Sequence, residues 1–178
     1  MSSLLIRTET ESDHTAVFEV IQRAFASEAI SDHDEQYLVE RLRMSEGFLP
    51  NLSLVAEWRE QVVGHIIFTP IKIVDGDHAY PSLALAPVSV LPDFQGRGIG
   101  GQLIEKGHEL AREAGHTSVV LLGHAQYYPR FGYQPAHNFD IRLPFEVPLE
   151  NCMAIELQPG SLNTVRGIVQ YPRAFFPE

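Results

Sequence analysis

Cysteine is nearly missing: among 178 residues there is one, Cys152. A single thiol excludes an internal disulfide. The apolar run around it marks Cys152 as core packing rather than a nucleophile, in a protein expected in a reducing, cytoplasmic setting. Basic residues are scarce as well, 13 Lys and Arg against 23 Asp and Glu, for a formal net charge of −10. So acidic a chain lacks the basic face that binds nucleic-acid phosphates, which argues against DNA and RNA and leans toward a cationic partner such as an amine. No apolar run reaches about 20 residues and no leader pattern opens the chain, so neither membrane insertion nor export is expected. Repeats and low-complexity stretches are lacking too. The eight histidines include no pair four residues apart and no Cys–His cluster, and no metal is expected.

What is present suits one domain of a size that buries roughly 70% of its unfolded surface. Leu4 to Arg7 reads as a strand. Ser12 or Asp13 can cap a helix with apolar pairs Ala16/Val17, Val20/Ile21 and Ala24/Phe25, and a second helix near Asp34 to Met44 carries the stripe Tyr37, Leu38 and Leu42. Leu52, Leu54, Ala56 and Trp58 alternate as a strand, Arg59-Glu60-Gln61 turns, and Val62 to Val74 returns as a strand interrupted at Pro70. Asp75-Gly76-Asp77 reverses the chain again. Further on, Ile99, Leu103, Leu110 and Ala114 trace the buried face of a helix ended by Gly115, with His108 and His116 at its surface. Ser118 to Leu122 is the next strand. This order is that of an α+β protein with a mixed sheet.

Between strand and helix lies Val88-Ser89-Val90-Leu91-Pro92-Asp93-Phe94-Gln95-Gly96-Arg97-Gly98-Ile99-Gly100-Gly101. Strand, glycine turn and helix start present free backbone N–H groups and a positive dipole end to one spot, where an anionic ligand fits. Glycines at 96, 98 and 101 satisfy the dinucleotide pattern GxGxxG. The acid that should follow about 20 residues on is missing, because Val119 to Leu122 runs into Gly123-His124. A nucleotide-triphosphate loop needs a Lys after the last glycine, and Gln102 stands there.

The run Gln95-Gly96-Arg97-Gly98-Ile99-Gly100 resembles the Q/R-x-x-G-x-G/A signature of the GCN5-related N-acetyltransferase (GNAT) family. Leu85 to Pro92 resembles that family's fourth strand, and Tyr128-Pro129-Arg130-Phe131-Gly132-Tyr133 its Y-x-x-x-G-[FY] element. Leu143-Pro144-Phe145, Met153 to Leu157 and Tyr171 to Phe175 extend the likeness to a subgroup of mostly uncharacterised bacterial members. The resemblance implies a GNAT-like mixed, mainly antiparallel sheet flanked by helices, with a cleft where strands four and five splay apart. Pro87 suits the edge or bulge where that parting starts. It implies acetyl-CoA as cosubstrate, its diphosphate gripped at Gln95, Gly96, Arg97, Gly98, Ile99, Gly100 and Gly101, and its amide-rich arm paired along Val88, Ser89 and Val90 like an added strand. Gln95 is expected to act through its backbone, and Arg97 is a candidate phosphate partner.

Direct acetyl transfer to a primary amine needs a neutral amine, a stabilised oxyanion and a proton for the thiolate. The resemblance assigns the last role to Tyr128 and leaves Tyr127 aside. Backbone N–H groups at Val88 to Val90 would meet the oxyanion. An amine of pKa near 10.4 is only about one part in a thousand neutral at pH 7, so help from a base or a water chain is expected. Glu28, Asp32, His33, His65 and His124 are available, and the sequence selects none. An acetyl-CoA or CoA sensor of the same fold, without turnover, is the alternative reading, and a nicotinamide or flavin oxidoreductase ranks last. The acceptor has no readable specificity code, and a homodimer is compatible with the resemblance.

Overall fold

A computed structural model describes residues 3–29 and 31–177. In chain order the elements are β1 (Leu4–Thr8), α1 (His14–Phe25), α2 (Glu35–Arg43), β2 (Ser53–Trp58), β3 (Gln61–Asp75), β4 (His78–Val90), α3 (Ile99–Glu113) and β5 (Ser118–Leu122). Four shorter strands follow: β6 (Gln134–Pro135), β7 (Ile141–Arg142), β8 (Cys152–Glu156) and β9 (Gly167–Gln170). They form one sheet in the order β1-β2-β3-β4-β5-β8-β6, with β9 joined to both β3 and β7. β4 runs parallel to β5 and β7 to β9, and the remaining pairs are antiparallel. This is the expected mixed, mainly antiparallel α+β sheet.

Alternation along the strands sends successive side chains to opposite layers. Ile66, Phe68, Leu83 and Leu85 face the layer that holds Leu103, Ile104 and Ala111 of α3. Val55 and Ile67 face Val17, Ile21, Val39 and Leu42 of α1 and α2. Beyond them Ile71, Ile73, Ala84, Val120 and Ala154 are covered by the C-terminal segments through Ile141, Leu143 and Leu162. Burying each of the Val, Leu, Ile and Phe side chains among these contributes about 1.5–3 kcal/mol against the entropy of ordering the chain. Close approach of α3 depends on Gly107, where a Cβ would lie 2.3 Å from the Phe68 ring.

Several local expectations change. β3 continues through Pro70, because its ladder with β2 stops at Ile67 and its ladder with β9 starts at Lys72, so the missing N–H falls in the gap between them. On α2 Leu42 is buried as expected, but Tyr37 is exposed and Gln36 and Val39 are buried with Leu42. Asp13 stands at the N-cap of α1, but its side chain makes no capping bond to that helix; its carboxylate accepts the Thr10 N–H at 2.7 Å and a bidentate grip from Arg7. On α3 the buried face is Ile99, Leu103, Ile104, Gly107, His108 and Ala111, while Ala114 is exposed. His108, expected at the surface, is only 4% exposed, and its Nε2 lies 2.8 Å from the Tyr133 hydroxyl.

The cleft arises on β4. Opposite Ile67 the strand carries two residues, Ala86 and Pro87, so the ladder with β3 slips by one. β4 pairs with β5 only at Leu83 and Ala84, leaving its last six residues without a neighbour on that side.

Candidate active site

After the bulge, hydrogen-bond directions alternate along β4. The Leu91 N–H donates to Val63 O on β3 at 2.8 Å. Ser89 shares that direction, being in register with His65, so the N–H groups of Val88 and Val90 point to the open edge. Of the three residues expected along the cofactor, Val88 and Val90 thus turn their N–H groups to the open edge, whereas the Ser89 N–H faces β3 and the residue is 3% exposed.

The chain then makes a single 3₁₀ turn, Pro92–Phe94, and passes through Gly96 at φ +77° and Gly98 at φ +79°. L-residues adopt these values only with strain, and a Cβ at either position would point into open space, so glycine here shapes the turn and leaves room for a ligand. Gly98 caps α3 and accepts the Gln102 N–H at 3.1 Å. The N–H groups of Ile99, Gly100 and Gly101 precede the first intrahelical bond and face the mouth of the turn.

They open on a cavity of about 610 Å³ lined by Val90, Gln95, Gly96, Gly98, Ile99, Gly100 and Gly101, together with Phe94, Gln102, Glu105, Tyr127, Arg130 and Phe131. Gln95 works through its side chain too, against expectation: Nε2 donates to Val90 O at 3.0 Å and ties the turn to the end of β4. Arg97 is not among the lining residues. Its guanidinium stacks on Phe94 at 5.1 Å and donates to Asp93 O at 3.1 Å, which folds it back on the preceding turn. The cation that faces the cavity is Arg130, held over the Tyr127 ring at 4.6 Å and donating to Tyr127 O at 2.9 Å.

Tyr128 begins a 3₁₀ turn, Tyr128–Phe131. At 8% exposure it sits behind the cavity wall, edge-on to Tyr127 at 5.0 Å and to Tyr133 at 5.8 Å. Its ring packs on Gly123 just past β5, where a Cβ would come within 2.4 Å. Burial, with Tyr127 adding to it, raises the Tyr128 phenol well above its ordinary pKa, so it keeps its proton throughout the physiological range. Tyr127, set aside on sequence grounds, does point elsewhere, and that direction is the cavity: its hydroxyl is 3.1 Å from where a Gly100 Cβ would be.

The candidate bases scatter. Glu28 and His124 approach to 4.0 Å across the surface, both exposed. Asp32 accepts the Asp34 N–H at 3.0 Å, and His33 is exposed with φ 59°. His65 is fully buried in the sheet. Among the described residues no group of three or more His, Cys, Asp or Glu side chains is placed to hold a metal ion, and no helix is long and apolar enough to cross a membrane.

A parallel strand pair forced apart by a bulge, beside a glycine turn that opens a helix, defines a split-sheet domain with an anion cradle at its centre. Comparison with known proteins carries this to a family. Residues 5–136 match the acetyltransferase (GNAT) domain. The chain is 39% identical over 164 residues to the uncharacterised N-acetyltransferase YjhQ of Escherichia coli (strain K12), covering 90% of this chain and 87% of that protein. Its fold superposes on the GNAT family N-acetyltransferase YhbS from Escherichia coli in complex with CoA at TM-score 0.87 and 31% identity, covering 98% and 93% of the two chains. A GNAT family acetyltransferase from Brucella melitensis in complex with acetyl-CoA gives TM-score 0.80 at 35% identity, covering 98% and 99%. The chain belongs to the GNAT acetyltransferase family.

Proposed function

We propose that the protein transfers an acetyl group directly from acetyl-CoA to the primary amine of a small molecule or peptide, with Tyr128 giving a proton to the departing thiolate. The observation that carries the cofactor reading is the coincidence of three things at one place. These are free N–H groups on the first turn of α3, glycines whose missing Cβ leaves open space, and an unpaired edge of β4 leading away from them. A diphosphate fits the first two and an amide-bearing arm the third. Arg130 and Tyr127 add a cation and a hydroxyl to the cradle.

Bound there, acetyl-CoA supplies an acetyl group activated as a thioester. The Val88 and Val90 N–H groups are fixed donors at the open edge, suited to the carbonyl oxygen on which charge develops. Tyr128, protonated because it is buried, is suited to donate to sulfur. The reading is supported by its packing behind Tyr127 and against Gly123, just past the end of β5. With Cys152 buried at the start of β8 and its thiol pushed up to about 11 by burial, a thiolate acyl-enzyme has no support.

The test is thiol release from acetyl-CoA over a broad amine panel. Wild type should release thiol with at least one amine, and Tyr128→Phe should lower kcat roughly a hundredfold while binding CoA as tightly as wild type. An unchanged rate in Tyr128→Phe removes the tyrosine from the mechanism. Tight CoA binding with no release for any amine favours a sensor.

A further inference from the structure

The aromatic side chains that wall the cofactor cavity, Phe94, Tyr127 and Phe131, pack on the α3 face of the sheet. The opposite face carries a second aromatic group, which acetyl transfer as proposed does not use. Phe145, Tyr171 and Phe175 lie nearly parallel: the Tyr171 ring is 4.2 Å from Phe175 at 25° and 6.1 Å from Phe145 at 12°. Phe176 meets Tyr171 edge-on at 6.0 Å. Phe145 and Phe176 are 41% and 45% exposed, so a contiguous patch of ring surface is left open to solvent. Single exposed apolar side chains are ordinary, whereas a joined patch marks a place where something binds.

Two layers fix where this patch lies. Tyr171 packs on the cluster that holds Ala84, Val120 and Cys152. Ala84 and Val120 are the last rung joining β4 to β5, and Cys152 sits opposite Leu122, beyond that rung. Burial raises the Tyr171 phenol well above its ordinary pKa and the Cys152 thiol adds to it, so the two side chains are near each other. Phe175 packs with Phe25 of α1 on the cluster that holds Ile67, the residue facing the β4 bulge. Arg41 pins this tail by donating from Nε to Ala174 O at 3.0 Å. The stacked rings therefore cover the sheet where β4 and β5 begin to part, on the side away from the cofactor cavity. A carboxylate stands at the same mouth. Glu28, whose N–H donates to Phe25 O at 3.1 Å, reaches His124 just past β5 at 4.0 Å. Because α1 packs on β3 and β4, that contact crosses the splay from one strand's side to the other's.

We infer that the acceptor is a small primary amine carried a few bonds from a flat aromatic ring, the ring stacking on Phe145 and Tyr171 while the amine enters the splay. This rests on the acetyltransferase reading and names its substrate class. Nearly parallel ring faces favour a further flat ring, whereas a compact cation is held best by faces that converge on one point. Glu28 supplies the charge that draws an ammonium group to the opening, in keeping with a chain of net charge −10.

Calorimetry of the full chain saturated with CoA tests the ring site without turnover. 2-Phenylethylamine should bind roughly tenfold more tightly than n-butylamine, which has the same charge and no ring. Phe145→Leu, at an exposed position, keeps an apolar side chain and removes the ring. It should bring 2-phenylethylamine to the level of butylamine and leave butylamine unchanged. Equal affinity of wild type for the two amines, or undiminished 2-phenylethylamine binding in Phe145→Leu, overturns the inference. Thiol release from acetyl-CoA separates it from the reading beneath it. With 2-phenylethylamine kcat/KM should exceed that with butylamine roughly tenfold, and a preference for butylamine overturns the inference alone. Ring-dependent binding with no thiol release for any amine would uphold the ring site and sink the transfer reading.

Discussion

Gly98→Ala and Gly115→Ala form a matched pair that isolates the ligand role of the glycine turn. Gly98 caps the start of α3 at φ +79° and Gly115 follows its end at φ +90°, and an added Cβ meets nothing within 4 Å at either position. Each substitution places a Cβ-bearing residue in the left-handed region, which costs roughly 1–2 kcal/mol. For a chain of this size that lowers Tm by about 2–4 °C per kcal/mol, and the two variants should lose similar amounts. They differ in what fills the open space. At Gly115 it is bulk solvent; at Gly98 it is the cavity bounded by Gly96, Gly100 and Arg130. A methyl group there keeps a diphosphate from the first-turn N–H groups, and losing one hydrogen bond to a charged partner costs about 1.5–3 kcal/mol. CoA should therefore bind Gly98→Ala roughly 10- to 100-fold more weakly and Gly115→Ala as tightly as wild type, by calorimetry, with thermal melts confirming equal strain. Equal CoA affinity in the two variants would refute the reasoning, whatever the melts show.

Other expectations are open to measurement. Arg130→Ala should weaken CoA binding several-fold, with a steeper loss at low salt, while Arg97→Ala leaves it unchanged because that guanidinium is folded onto Phe94. His108 is pushed down to about 4 by burial, with Arg112 adding to it. Its neutral form is the folded one, so its contribution is fully present above the ordinary value of about 6.5 and is lost as pH falls toward 4. Denaturant midpoints should drop across that window in wild type and drop less in His108→Gln; identical pH profiles would contradict it.

The glycine turn was readable because its signal is local: strand, positive-φ glycines and helix start are contiguous, and the backbone supplies the chemistry. The parting of β4 was readable from Pro87, since proline cannot continue a central ladder without a bulge. Pro70 shows the limit of that rule. It sits inside a long strand because two different neighbours end and begin around it, which only the assembled sheet reveals. His108 misled for a related reason: polar by type, it is buried because Tyr133, 25 residues away, supplies its hydrogen bond. Side-chain direction was the least legible part of the site. Whether Ser89 or its neighbours face the cleft depends on the one-residue slip at Ala86 and Pro87, and Tyr127 reaches the cavity because the segment after it is a 3₁₀ turn. The Glu9–His65 contact joins the turn before α1 to the middle of β3, and no short motif encodes such a pairing.

Titrating acetyl-CoA and free CoA into the folded protein by calorimetry bears most directly on the central claim, that the first turn of α3 and the open edge of β4 hold this cosubstrate. The account predicts saturable heat with one site per chain for both ligands, and a markedly weaker response from dephosphorylated pantetheine, which lacks the diphosphate. No heat from either CoA species at millimolar concentration, or equal affinity for pantetheine, would contradict it.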